Sequence, residues 1–196
     1  DIQHLVRTMP VPDLYNFVRQ LGLADAGDLL SLASGEQLQQ MTALAVWPTV
    51  RLATPRLMEW LEAIFVADPE KVAQRVGELD PEVILTLLLK HMVVFTNEGD
   101  EMSPEKEHEI ARRDVIPTPD DVFYVEISGE PDEVDFIRRL LMEVYRQDVD
   151  LARSLLFRLL GQLPSQLEEA AYRIRQGRVE GLGFVDFYEA LKIYQA

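Results

Sequence analysis

Three prolines decide most of what this chain can fold into. They stand in "ATPRLMEWLEAIF", "ADPEKVAQRV" and "LDPEVILTLLLKHMV" as Pro55, Pro69 and Pro81, each directly after a residue able to cap a helix: Thr54, Asp68 and Asp80. Proline costs nothing in the first turn of a helix, where its missing N–H would have no partner, but it cannot sit inside a helix begun earlier. Glu70 and Glu82 follow the second and third prolines, where a carboxylate favours the positive end of the helix dipole. Helix starts at 55, 69 and 81 leave little room for loops. This region therefore reads as short helices in close succession, the first turning Leu57, Leu61, Ile64 and Phe65 inward.

The same grammar holds on either side. "VPDLYNFVRQLG" starts at Pro12, places Leu14, Tyr15, Val18 and Leu21 on one face and stops at Gly22. "ADAGDLLSLA" reads as a short helix with Ala26, Leu29, Leu30 and Ala33 inward; Ser34 then caps the next, with Gln37 three residues on as in a capping box, and Leu38, Met41 and Ala45 follow. Later, Val134, Ile137, Leu140, Leu141, Val144 and Tyr145 form one stripe between Pro131 and Gln147, and Leu151, Leu155, Leu156 and Leu159 another. Two further helices are expected after Pro164, one carrying Leu167, Ala170, Ala171 and Ile174, the other Phe187, Ala190, Leu191 and Tyr194. Short helices that each bury one face against the next predict a mainly α fold, about nine or ten helices in a superhelical, solenoid-like stack.

Residues 98–131 break the pattern. They carry 11 acidic and 3 basic side chains, a net −8 out of the chain's −15. The expected organisation is a single helical domain, 1–196, with an N-terminal half (1–97), an acidic insertion (98–131) and a C-terminal half (132–196). The insertion ends in a predicted strand, 122–127, with Phe123, Val125 and Ile127 on one face and Val122, Tyr124 and Glu126 on the other. A lone strand leaves backbone groups in search of partners. It can pair within the chain, around Val115 or Val93 to Phe95, at the smallest entropic cost. It can pair with its symmetry mate in a homodimer, or take an extended segment of another protein. In the last two cases Tyr124 and Glu126 are interaction residues.

Composition narrows the function classes. The absence of cysteine removes disulfides, thiolate metal sites and a cysteine nucleophile, and makes the cytoplasm the expected address. A net charge of −15 repels phosphate backbones and anionic membrane surfaces, so neither nucleic acid nor lipid is an expected partner. No apolar run approaches the ~20 residues of a membrane span. The chain opens on Asp1 with no basic, apolar leader, and its ends read as boundaries within a longer polypeptide.

Candidate sites are few. Glu98, Asp100, Glu101 and Glu105, with Glu107 and Glu109 nearby, offer the oxygen ligands a divalent cation wants, and His108 stands three residues from Glu105. The spacing matches no calcium loop, and with His4, His91 and His108 the only histidines a histidine-rich centre cannot be built. A solvated acidic loop is the plainer account. His91, at the end of the Pro81 helix, is expected to meet free carbonyls there. Gly181 and Gly183 follow a helix and lack the lysine of a phosphate loop, and Arg173, sited to hold an anion with Arg175 and Arg178, has Glu169 four residues before it as an intrahelical partner. Trp47 and Trp60 belong either to the core or to a groove that anchors a partner helix. No arrangement of nucleophile and base stands out.

"LYNFVRQLGLADAGDLLSLASGEQLQQM", "ELDPEVILTLLLKH" and "LPSQLEEAAYRIRQGRVEGLGFVDFYEAL" together resemble a family of uncharacterised bacterial proteins, a domain of unknown function, over nearly the whole chain. The resemblance implies no activity. The cadence of "VGELDPEVILTLL" is more faintly similar to the cytosolic helical superhelix of MgtE-type magnesium transporters, which implies a superhelical fold and no metal ligands here. The function expected is a non-catalytic protein–protein interaction or scaffold domain of a larger bacterial protein. A regulatory domain sensing a divalent cation through residues 98–109 is the alternative, and an enzyme with an unrecognised site the third reading.

Overall fold

The fold is seen in a computed structural model that describes residues 1–48, 51–96, 108 and 112–160. Four helices open it: α1 (Ile2–Thr8), α2 (Val11–Leu21), α3 (Gly27–Leu32) and α4 (Gly35–Val46). Helix α2 has Pro12 in its first turn and ends at Gly22, whose φ of 83° suits a residue without a side chain. Leu14 and Val18 are buried, but Leu21, expected inward, is half-exposed. The capping box at the start of α4 is present: the Ser34 hydroxyl accepts from the Gln37 N–H, and the Gln37 side chain accepts from the Ser34 N–H. The Gln37 amide nitrogen also donates to the Val6 carbonyl at 2.9 Å and to that of Met9 at 3.1 Å, so one buried side chain starts α4 and closes α1.

The three prolines do start helical segments, with adjustments. Helix α5 (Thr54–Ala67) has Pro55 in its first turn but is capped at Ala53; the Thr54 hydroxyl instead accepts from Lys90 Nζ at 2.7 Å. Pro69 opens a 3-10 turn (Pro69–Lys71) before α6 (Val72–Glu78), and Pro81 opens α7 (Pro81–His91). Neither Asp68 nor Asp80 caps through its side chain. Asp80 accepts from the Gln39 amide at 2.9 Å, tying α7 to α4. Asp68 belongs to a knot around Arg75, which is only 4% exposed. The guanidinium donates twice to Asp68 Oδ2 (3.0 and 2.9 Å), once to Glu78 Oε2 (3.0 Å), and to the carbonyls of Ala33 (3.2 Å) and Ser31 (2.7 Å) at the end of α3. A buried charge is tolerated only when its donors are spoken for, and here all three nitrogens are.

The strand is not alone. Strands β1 (Met92–Thr96), β2 (Val115–Pro117) and β3 (Phe123–Ile127) form an antiparallel sheet in the order β1-β3-β2, with Val94 opposite Val125 and Val115 opposite Glu126. Both segments named as partners within the chain are used, so β3 is the central strand with neighbours on either edge. That corrects the expectation of a single strand and removes pairing across a homodimer through 122–127, because β3 has no open edge. Phe123 and Val125 are buried as the alternation predicts. Thr118 and Asp120 build the β2–β3 turn: the Thr118 hydroxyl donates to Asp120 Oδ1 at 2.7 Å, and Asp120 Oδ2 accepts from Arg153 Nε at 2.7 Å. Burial raises the Asp120 carboxyl, but hydrogen bonds from Arg153, Thr118 and the Val122 N–H, with the charge of Arg153, hold it below the ordinary aspartate value.

Helix α8 (Pro131–Gln147) and α9 (Val149–Leu159) complete the described fold. Phe136, Ile137, Leu140, Leu141, Val144 and Tyr145 are buried on α8, each large aliphatic contributing about 1.5–3 kcal/mol; Asp148 caps α9 through the Leu151 N–H. Phe123 of β3 meets Phe157 of α9 edge-on at 4.8 Å, which fastens the sheet to the helices. The two helices expected after Pro164 lie outside the described residues. The mainly helical expectation holds, but the solenoid-like stack is not borne out. Helix α4 contacts α2, α5 and α6, α6 reaches α8, and α7 reaches α9. Side chains from Val6 to Leu159 share one core, whereas the units of a solenoid touch only their neighbours. No helix among the described residues is long and apolar enough to cross a membrane.

Candidate functional site

Helix α5 has two faces of different character. Leu57, Trp60, Leu61 and Ile64 are buried. Glu59, Glu62 and Val66 recur at steps of three and four on the other side, where they share one solvent-facing stripe. Val66 is 75% exposed, an apolar side chain at a position the helical pattern reserves for polar ones.

Three clefts run along this stripe and share lining residues. One, of about 440 Å³, lies between Leu23, Ala24 and Gly27 of the α2–α3 turn and Glu59, Ala63 and Val66 of α5. At one end it shares Glu62 with a cleft of about 550 Å³ against the first turns of α8, lined by Met58, Phe136, Asp132 and Arg139. At the other it shares Leu23 and Glu59 with a cleft of about 400 Å³ toward α2, where Tyr15, Arg19, Arg56 and Trp60 contribute. The three clefts adjoin one another along α5 through these shared residues, and are taken together as a groove.

Its electrostatics are uneven. Arg139 lies 3.8 Å from Glu62, with both side chains 59% exposed, so the pair is a weak surface contact. The Arg139 guanidinium also lies 5.9 Å from the rings of Phe65 and Phe136. Glu59 makes no ion pair or hydrogen bond among the described residues. Asp25 and Asp28 are exposed next to Ala24 and Gly27 in sequence. The middle of the groove is thus apolar and small-walled with an acidic border.

The residues expected to carry function are distributed differently. Trp47 and Trp60 are 2% and 5% exposed, which makes them core residues; Trp60 stacks on Tyr15 at 6.2 Å and reaches the groove only from beneath. Trp47 is thereby corrected as a groove anchor. Tyr124 and Glu126 lie half-buried on the central strand, with Glu126 paired to Arg113 at 2.8 Å. Glu98, Asp100, Glu101 and Glu105 lie outside the described residues; His108 is described and is exposed. Among the described residues no group of three or more histidines and carboxylates is placed to hold a metal. His91 does meet a carbonyl, that of Ser128 in the β3–α8 turn at 3.1 Å, and not one of its own helix.

The sequence match extends to every element of this architecture, covering residues 1–196 with a family of unknown function, DUF6178. The chain belongs to that family. No curated protein and no solved structure matches it, so the likeness to MgtE-type domains gains no support. For this member of the family the groove along α5 is the candidate site among the described residues. Sequence reasoning missed it, although Val66 standing outside the Leu57, Leu61, Ile64 stripe was a readable signal.

Proposed function

We propose that the chain is a non-catalytic protein-interaction domain, working in the cytoplasm as part of a larger bacterial polypeptide, and that it docks a helix of another protein in the groove along α5. The observation that carries this reading is the groove with an exposed apolar residue, Val66, at its centre. Its polar groups are carboxylates and guanidiniums suited to charge recognition, and the small side chains of Ala24, Gly27 and Ala63 leave space for a partner's larger ones. The absence of cysteine accords with a reducing compartment.

The test is a photo-crosslinking amino acid placed at Val66 and, separately, at Phe157, another exposed apolar position, in the full polypeptide in its own cell. A discrete protein adduct from position 66, absent from position 157 and lost when Ala24→Arg is added, is expected. Identical adducts from both positions, or none from 66, would overturn the assignment.

A further inference from the structure

We infer that the helix received by this groove is amphipathic, with an apolar face that enters between the α2–α3 turn and α5 and with lysine or arginine along the flank that meets α5. This rests on the docking reading above and adds the chemistry of the occupant.

The shape selects a helix. The α5 wall is mid-helix backbone whose groups are bonded within the helix, so an extended segment would find no row of free N–H and C=O groups along it to pair with. Recognition must come from side chains, and a helix presents them in a stripe at i, i+3, i+4 and i+7 that matches a groove running along another helix. The middle cleft has small residues where the occupant would approach closest: Ala24, Gly27 and Ala63. A methyl group added at Gly27 would make only ordinary contact with the Ala67 Cβ, at 3.9 Å. With small side chains lining the cleft, large apolar anchors belong to the partner.

The charge selects its flank. Glu59 and Glu62 border the cleft on the α5 side; Asp25 and Asp28 stand exposed on the segment that supplies Ala24 and Gly27. No cation lines the middle cleft itself; Arg19 and Arg56 line the cleft that shares Leu23 and Glu59 with it toward α2, and Arg138 and Arg139 the one toward α8. An acidic flank on the partner would meet the like charge of Glu59 and Glu62, whereas a basic flank would meet Glu59, which no described residue engages.

The experiment measures fluorescence anisotropy of a labelled helical peptide of leucine and lysine, about 18 residues or five turns long, against the full chain at physiological salt. Two control peptides keep the pattern but replace every lysine by glutamate, or every leucine by serine. Three variants are compared: Val66→Asp, Glu59→Gln with Glu62→Gln, and Asp114→Asn with Asp150→Asn. The last two change net charge equally, so general attraction to the −15 chain cancels between them. The leucine–lysine peptide is expected to bind, with affinity falling about tenfold or more in the first two variants and unchanged in the third. Equal weakening by the remote pair, or equal binding of the serine–lysine peptide, would overturn the inference. Binding of the leucine–glutamate peptide that Val66→Asp abolishes would overturn the basic flank while leaving helix docking intact. If neither leucine peptide responds to Val66→Asp, both readings fall.

Discussion

Arg75→Met tests the largest single electrostatic commitment in the fold. The side chain is 5% exposed and its guanidinium makes five hydrogen bonds to four residues on or beside α3 and α6. Methionine retains the aliphatic stem and deletes the fork. Asp68 and Glu78 then lose their common cation, and the carbonyls of Ser31 and Ala33 lose their donor. Removing one partner of a buried pair costs about 3–5 kcal/mol. The lower part of that range applies, because the carboxylate side chains of Asp68 and Glu78 are 16% and 25% exposed and recover some water. Each of the two orphaned carbonyls adds about 1 kcal/mol. The expected loss is about 5 kcal/mol, or a fall in Tm of about 10–20 °C at 2–4 °C per kcal/mol for a chain this long.

Urea unfolding followed by circular dichroism reads this as a lower midpoint with an unchanged slope. The triple variant Arg75→Met, Asp68→Asn, Glu78→Gln separates charge from packing, because it removes the stranded carboxylates together with the cation; it is expected to recover at least half of the loss. A loss below about 1 kcal/mol for Arg75→Met would refute the view that this knot joins α3 to α6.

Asp120 sets a pH dependence of known sign. Its folded-state carboxyl is held below the ordinary value of 3.8, so its contribution is full above that pH and disappears as pH falls through the folded value. Asp120→Asn should be less stable than the parent at neutral pH, and the difference between their urea midpoints should narrow as the pH falls below the ordinary aspartate value; a gap that stays constant or widens contradicts the assignment. For the acidic segment, thermal melts with millimolar Mg²⁺, Ca²⁺ or EDTA at matched ionic strength are expected to coincide under the interaction reading. A specific rise of about 5 °C or more, lost when Glu98, Asp100 and Glu101 become amides, would instead favour cation sensing.

Helix starts were legible because their chemistry is local. Pro12, Pro55 and Pro81 each fall in a first turn, and the Ser34–Gln37 box forms as written. The roles of polar residues next to those starts were not legible, since they are decided by what packs across from them. Asp68 reads as a cap until Arg75 is buried beside it, and Thr54 until Lys90 reaches it from α7. The solenoid-like stack is not confirmed for the same reason. Periodicity shows that each helix has an inward face but does not say which other helix it meets, and here α6 turns to α8 and α7 to α9. The strand was found from β-branched and aromatic content, and its partners at Val115 and Val93 to Phe95 were among the options, yet nothing local indicated that both would be taken.

The groove is the extreme case, because it exists only through the placement of segments more than thirty residues apart, 23–27 and 59–66. Each contributes something unremarked by itself: small residues after a glycine stop, and two glutamates with a valine on the outer stripe of a helix. What brings them together is the packing of α3 on α5. That packing is held at the far end of α3 by the same Arg75 donors that satisfy the Ser31 and Ala33 carbonyls. Helix α3 is six residues long and too short to persist in water without tertiary support. Its start supplies Gly27 to the groove and its end is anchored to α6 through the Arg75 donors. Under the docking reading, fold stability and recognition are coupled through α3, and loosening the Arg75 cluster is expected to weaken binding in the cleft together with the fold.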